Sequence, residues 1–195
     1  MPATSDHTEF QAALGSVAMT WSVLEFTLCL IMAVLIETDD FTGVAVGTAL
    51  DYPRKRDVIN SLAELKLSGN DAKNSRNLLL DFMSKIKGAA TERNRVIHAT
   101  WGDDPKKGKT RIRFSNRGKL DIEITPYNAK RLRKLAHDIS ELANLGMGLA
   151  CTIELNVKAW RGKCDIPEAP HRLAWKNHLA ANPRIPEDPP RSSEA

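Results

Sequence analysis

Lysine and arginine are missing from the first 53 residues, which instead carry seven acids, Asp6, Glu9, Glu25, Glu37, Asp39, Asp40 and Asp51. Without a basic flank, the apolar stretch from Ala12 to Ile36 has nothing to set an orientation across a bilayer, and Glu25 within it would cost about 2.5 to 3.5 kcal/mol at mid-span. A buried bundle helix, with no membrane partner, is the expectation. Cysteine is scarce: Cys29, Cys151 and Cys164 contain no CxxC pair, which excludes a disulfide framework and a zinc knuckle and predicts a reducing, cytoplasmic setting. The five histidines (His7, His98, His137, His171, His178) show neither HxxxH nor HExxH spacing, so no metal and no cofactor is called for. A basic n-region and a small-residue cleavage site are also missing, and no secretory signal is expected.

What is present is ordinary in bulk. With 195 residues, 42% apolar and 27% charged, the chain can bury a core and is neither disordered throughout nor fibrous. Its charge is uneven. The first 53 residues carry −7, so a chain of net +4 leaves +11 for the remainder. The densest part runs from Pro105 to Lys134, where eleven Lys or Arg face only Asp121 and Glu123. Such a field favours a polyanionic partner, whereas the plainer reading is a solvated face that pairs with the acidic first helix of the same or another subunit.

Apolar spacing predicts helices. Phe10, Leu14, Val17, Trp21, Leu24, Leu28, Ile31 and Leu35 alternate by four and three, the seam of one long helix over about residues 6 to 37. Glu25 lies beside that seam and needs a cation such as Arg93. A short helix from Phe41 to Leu50 and a third from Pro53 to Leu65 follow. A fourth opens at Asp71, and its row of Leu79, Phe82, Ile86 and Ala89 continues to Arg93 and Val96, which sets a guanidinium where an apolar residue was due.

Between Gly102 and Gly118 turn formers and charges take over. Ile112 and Phe114, then Leu120, Ile122 and Ile124, alternate across Asn116-Arg117-Gly118, which reads as a small β-hairpin insertion over about residues 110 to 125. Thr125-Pro126 is then expected to start a second long helix through Leu132, Leu135, Ile139, Leu142, Gly146, Leu149, Ile153, Asn156 and Trp160. The fold class is therefore all-α: an antiparallel bundle of about five helices, two of them long, with the hairpin before the last. Residues 1–162 form the bundle domain, and 163–195, with six of the ten prolines, an extended tail.

The segment Thr91-Glu92-Arg93-Asn94-Arg95-Val96-Ile97-His98 sets Arg, Asn and His in R-N-x-x-x-H spacing at the end of a helix, directly before the basic stretch. This resembles the signature of the HEPN superfamily, and the long first and last helices are similar to that family's bundle, a likeness over about residues 8 to 160. The resemblance implies an all-helical homodimer and a metal-independent endoribonuclease that cleaves through the RNA 2′-hydroxyl. Arg93, Asn94 and His98 would be its catalytic residues, drawn from both subunits. It further implies the toxic half of a toxin-antitoxin pair or an anti-phage defence component, restrained by an antitoxin or regulatory protein.

The residue types suit that chemistry. An imidazole exchanges protons near neutrality, and a guanidinium grips phosphate as a fork. Asn94 and His98, four apart, share a helical face, while Arg93 lies about 140° from His98, so a second subunit would be needed to aim both groups at one phosphate. Arg95, Lys106, Lys107, Lys109, Arg111 and Arg113 are the candidate RNA-binding residues. The competing reading is a non-catalytic helical dimer that binds nucleic acid or a protein, with the motif kept for structure. A phosphate loop over Gly102 to Thr110 is rejected, because five residues instead of four separate its glycines and neither a preceding strand nor a following helix is expected.

Overall fold

The computed structural model describes residues 4–104, 108–116 and 120–164. The chain is mostly helical, with α1 (Thr4–Ile36), α2 (Asp40–Thr48), α3 (Tyr52–Lys66), α4 (Lys73–Ile97) and α5 (Ala129–Cys164). Between α4 and α5 lies one antiparallel sheet of β1 (Thr100–Asp104), β2 (Gly108–Asn116) and β3 (Leu120–Pro126), in the order β1-β2-β3.

Caps set the helix limits. Asp39 accepts from the Thr42 amide (3.0 Å) and Asp51 from the Arg54 amide (3.1 Å), each supplying an acceptor to the first turn of its helix. α1 ends at Glu37, whose φ of 57° is left-handed, and Lys66 holds its carboxylate at 2.7 Å. Helix α2 presses on α1 through two glycines: a Cβ on Gly43 would fall on Ala33, and one on Gly47 on Cys29.

Each helix runs opposite to the one before it. Trp21 and Glu37 of α1 meet Tyr52 and Lys66 of α3, Ser75 of α4 meets Asn156 of α5, and Glu92 of α4 meets Arg131. Five alternating helices must leave the first and fifth parallel. Accordingly Glu9 pairs with Arg133 near both N-termini, and Gly146 faces Thr27 farther along. The two long helices therefore run in the same direction, and each is antiparallel to α4 instead of to the other.

The seams face inward as their periodicity predicts. Val17, Leu24, Leu28, Ile31 and Leu35 of α1, Leu79 and Ile86 of α4, and Leu132, Ile139 and Ile153 of α5 are fully buried. Each such side chain contributes about 1.5 to 3 kcal/mol on transfer from water. A second row on α1 points outward, with Met19, Val23 and Phe26 exposed. That row is why α1 is long and apolar enough to cross a membrane by length and composition, although half of its apolar window is buried in the bundle.

Three expectations change. The insertion is a three-stranded sheet, because Thr100–Asp104 joins it by main-chain pairing, from Thr100↔Ile112 to Asp104↔Gly108. Only Trp101 in that strand is large and apolar, so no alternation marked it. Thr125 and Pro126 end β3 and do not open α5, since Pro126 pairs with Thr110 at a strand terminus, where its missing N–H costs nothing. Asn128 then caps α5 by accepting from the Arg131 amide at 2.9 Å. Glu25 is half-buried and forms no ion pair with Arg93, which is occupied elsewhere; Glu25 and Lys55 instead both bear on the Cys29 thiol. Burial raises that thiol above its usual range, Lys55 opposes the rise and Glu25 adds to it.

Candidate functional site

The end of α4 and the sheet enclose a cleft of about 690 Å³. Thr91, Asn94 and Arg95 line it from α4, His98 from just beyond the end of α4, Thr100 from β1, Arg111 and Ile112 from β2, and Glu123 from β3. His98 is the first residue beyond the helix. Its amide donates to the Asn94 carbonyl (3.2 Å), and φ −99°, ψ 14° turns the chain toward β1. The junction is pinned by Trp101, whose indole N–H donates to the Val96 carbonyl (3.2 Å) and whose ring meets Phe10 (4.9 Å) and Tyr127 (5.5 Å) edge-on. His98 itself stays exposed in the cleft with no side-chain partner among the described residues.

Arg93 does not line the cleft. It occupies the inward row of α4, its guanidinium carbon lies 5.4 Å from the centroid of the Trp21 ring, and its Nη1 donates to Asn94 Oδ1 at 2.8 Å. The cation–π contact supplies an electrostatic partner without a carboxylate, which is why Glu25 is not needed there. Its Nε is buried without a partner.

Among the described residues the cleft's cations are Arg95 and Arg111. Arg95 reaches Glu92 at 3.3 Å, and Arg111 lies 3.9 Å from Glu123 and 6.0 Å from the Tyr127 ring centre. Lys109 turns away from the cleft, its ammonium 2.8 Å from both Asp103 and His7 Nδ1. Thus α1 meets the basic region of its own chain through His7 and through Glu9 with Arg133. Lys106 and Lys107 lie outside the described residues, as does the side chain of Arg113, whose backbone belongs to β2.

Sequence reasoning missed a polar knot beside the cleft. Glu92 accepts from the Tyr127 hydroxyl (3.1 Å) and from Arg131 (3.0 Å), and Arg131 stacks 4.4 Å from the Tyr127 ring centre. Burial acts to raise the Glu92 carboxyl, but hydrogen bonds from Tyr127 and Arg95 and the charges of Arg131 and Arg95 outweigh it and hold the group below the usual carboxylate range. Burial and the Glu92 charge push the Tyr127 hydroxyl up to about 12. The one signal available was rarity, since Tyr127 is one of two tyrosines.

Among the described residues no group of three or more His, Cys, Asp or Glu is placed to hold a metal ion. Gly108 (φ 71°) opens a strand and no helix follows it, so the Gly102–Thr110 segment lacks the helix N-terminus of a phosphate loop. The site as a whole is a donor-rich cleft with one free imidazole, suited to holding an oxyanion and moving a proton. Comparison of the chain with family models, with curated proteins and with solved structures finds no match.

Proposed function

We propose that this chain is a HEPN-like, metal-independent endoribonuclease that works as a homodimer in the cytoplasm. The observation that supports it most is that Asn94 and His98, one helical turn apart, share a cleft with Arg95 and Arg111 beside the basic stretch. His98 takes the proton of an RNA 2′-hydroxyl as that oxygen attacks the adjacent phosphorus. The bond from phosphorus to the 5′-oxygen breaks, and the leaving oxygen takes a proton from an imidazolium, for which the second subunit's copy of the motif is the source. Arg95 and Arg111 offset the charge that builds on the phosphate. An RNA-cleaving activity of this kind fits a toxin or anti-phage component held in check by a protein partner.

The non-catalytic reading draws on one observation of its own: Arg93, the first residue of the motif, faces Trp21 and not the cleft. One assay separates the two. Purified protein in chelator is expected to cut single-stranded RNA, and His98→Ala is expected to abolish cutting while melting normally and still binding RNA. Wild-type protein that binds RNA and never cuts it would favour the binding module.

A further inference from the structure

We propose that Arg93 is a positioning residue that acts through Asn94, locking the Asn94 amide so that its two N–H donors face an oxyanion in the cleft. The oxyanion is identified as an RNA phosphate on the ribonuclease reading above; the locking itself rests on geometry alone.

The two groups differ in what they can offer. A guanidinium has five N–H donors and no acceptor, whereas an asparagine amide has one accepting end and one donating end. The Arg93 Nη1 contact at 2.8 Å therefore fixes which end of Asn94 is which: the oxygen faces Arg93, which leaves the NH2 as the end available to the cleft that Asn94 lines. Arg93 is itself held. Its guanidinium carbon lies 5.4 Å from the Trp21 ring centre, Trp21 is 3% exposed, and Tyr52 meets it edge-on at 5.5 Å. The buried, unpartnered Nε shows that Arg93 makes these two contacts at the expense of one of its own donors. A chain of contacts thus runs from the core to the cleft, Tyr52 to Trp21 to Arg93 to Asn94.

The orientation matters because of charge. With its NH2 outward, Asn94 adds two donors to those of Arg95 and Arg111. Flipped, it would set a carbonyl dipole against a phosphate oxygen. Free rotation would lose part of the binding to the wrong orientation, and the lock removes that loss.

The test uses the full chain and two probes, inorganic phosphate and a 2′-deoxy dinucleotide, which cannot be cleaved. Side-chain amide NMR, with the Asn94 signal assigned through Asn94→Ser, follows the donors directly. The wild-type Asn94 NH2 resonances are expected to shift on adding the dinucleotide, and a smaller shift with phosphate alone would show that the nucleoside contributes. Asn94→Asp keeps an acceptor for Arg93 and replaces the donors with a carboxylate, so dinucleotide affinity is expected to fall by about tenfold or more with melting unchanged. Arg93→Met is expected to weaken binding and broaden the Asn94 signal, with Arg93→Lys, which still donates to Oδ1, restoring part of both. Asn94 is exposed, so Asn94→Asp reports even if Arg93→Met fails to fold. Unchanged affinity in Asn94→Asp, or no ligand response from wild-type Asn94, overturns the proposal. Undiminished binding in a folded Arg93→Met overturns it as well, whereas dinucleotide binding that falls in Arg93→Met, in a protein that cuts no RNA, upholds the positioning and sinks the ribonuclease reading.

Discussion

Along α4 and the residue that follows it, one row of side chains, Phe82, Ile86, Arg93 and Val96, turns toward the bundle, while another, Thr91, Asn94 and His98, turns toward the sheet. The inward row is closed. Phe82 is 1% exposed, and Gly146 of α5 comes so near that an added Cβ would lie 2.7 Å from the Phe82 ring. The sheet-facing row is open and, at His98, without a partner among the described residues. A short motif read along the sequence is thus divided by the helix into a part that packs and a part that faces solvent. Arg93 and Asn94, adjacent in sequence, join the two across the edge.

The largest expected effect strikes the inward row. Phe82→Ala should lower unfolding free energy by about 3 to 5 kcal/mol in a denaturant titration, with cleavage per folded molecule unchanged. A catalytic loss out of proportion to the unfolded fraction would show that the rows are not separable. His98→Ala is the mirror experiment. Cleavage should drop by about 10² to 10⁴-fold while the melting temperature stays within the error of calorimetry.

The Glu92 knot sits between the rows and should respond to pH in two directions. Glu92 is held below its ordinary value of 4.5, so the stability it contributes is present above that pH and is lost as the pH falls through its lowered folded value. Glu92→Gln should therefore cost about 1 kcal/mol near neutrality, allowing for the partial exposure of the site, and the gap to wild type should close in acid. Tyr127 behaves in the opposite sense. Its folded value of about 12 lies above the ordinary 10.0, so its contribution is complete below pH 10 and fades as the pH rises toward 12. Tyr127→Phe should lack that alkaline decline, which pH-resolved chemical denaturation would reveal. The smallest effect belongs to the cleft wall. Arg111→Ala should reduce the salt dependence of single-stranded RNA binding by about 0.7 log units per log unit of salt, with the fold intact.

The helices were legible because their apolar residues recur with a period that no strand shares. That period alone places Arg93 in the core row of α4 and His98 at its end. The sheet was legible only where apolar residues alternate. In β1 the stabilising partner is the main chain of β2, which leaves no mark on side-chain pattern. The parallel course of α1 and α5 follows from counting reversals, whereas matching seams alone are equally compatible with either direction. At the site, the sharing of one cleft by Asn94 and His98 followed from a spacing of four. That Lys109 bonds Asp103 and His7, and that Tyr127 and Arg131 close over Glu92, depends on residues up to 102 positions apart in the chain. Local pattern carries no record of such pairings. Glu25 gives no sign in the sequence of its lack of a partner at Arg93, because an aromatic face, which charge pattern does not report, serves that guanidinium.

The separation along the chain of α1 and α5, which approach each other at Thr27 and Gly146, also sets an order of events during synthesis. The side of α1 at Thr27 is covered by Gly146 of α5, 119 positions later. At about 5 to 20 residues per second the ribosome leaves that interval open for roughly 6 to 24 s. During it the nascent chain carries a long apolar helix that α2, α3 and α4 clothe only in part, and only as each is made. Chaperones that bind extended apolar surface, and the machinery that sorts nascent membrane proteins, therefore have their opportunity at α1 before α5 closes it.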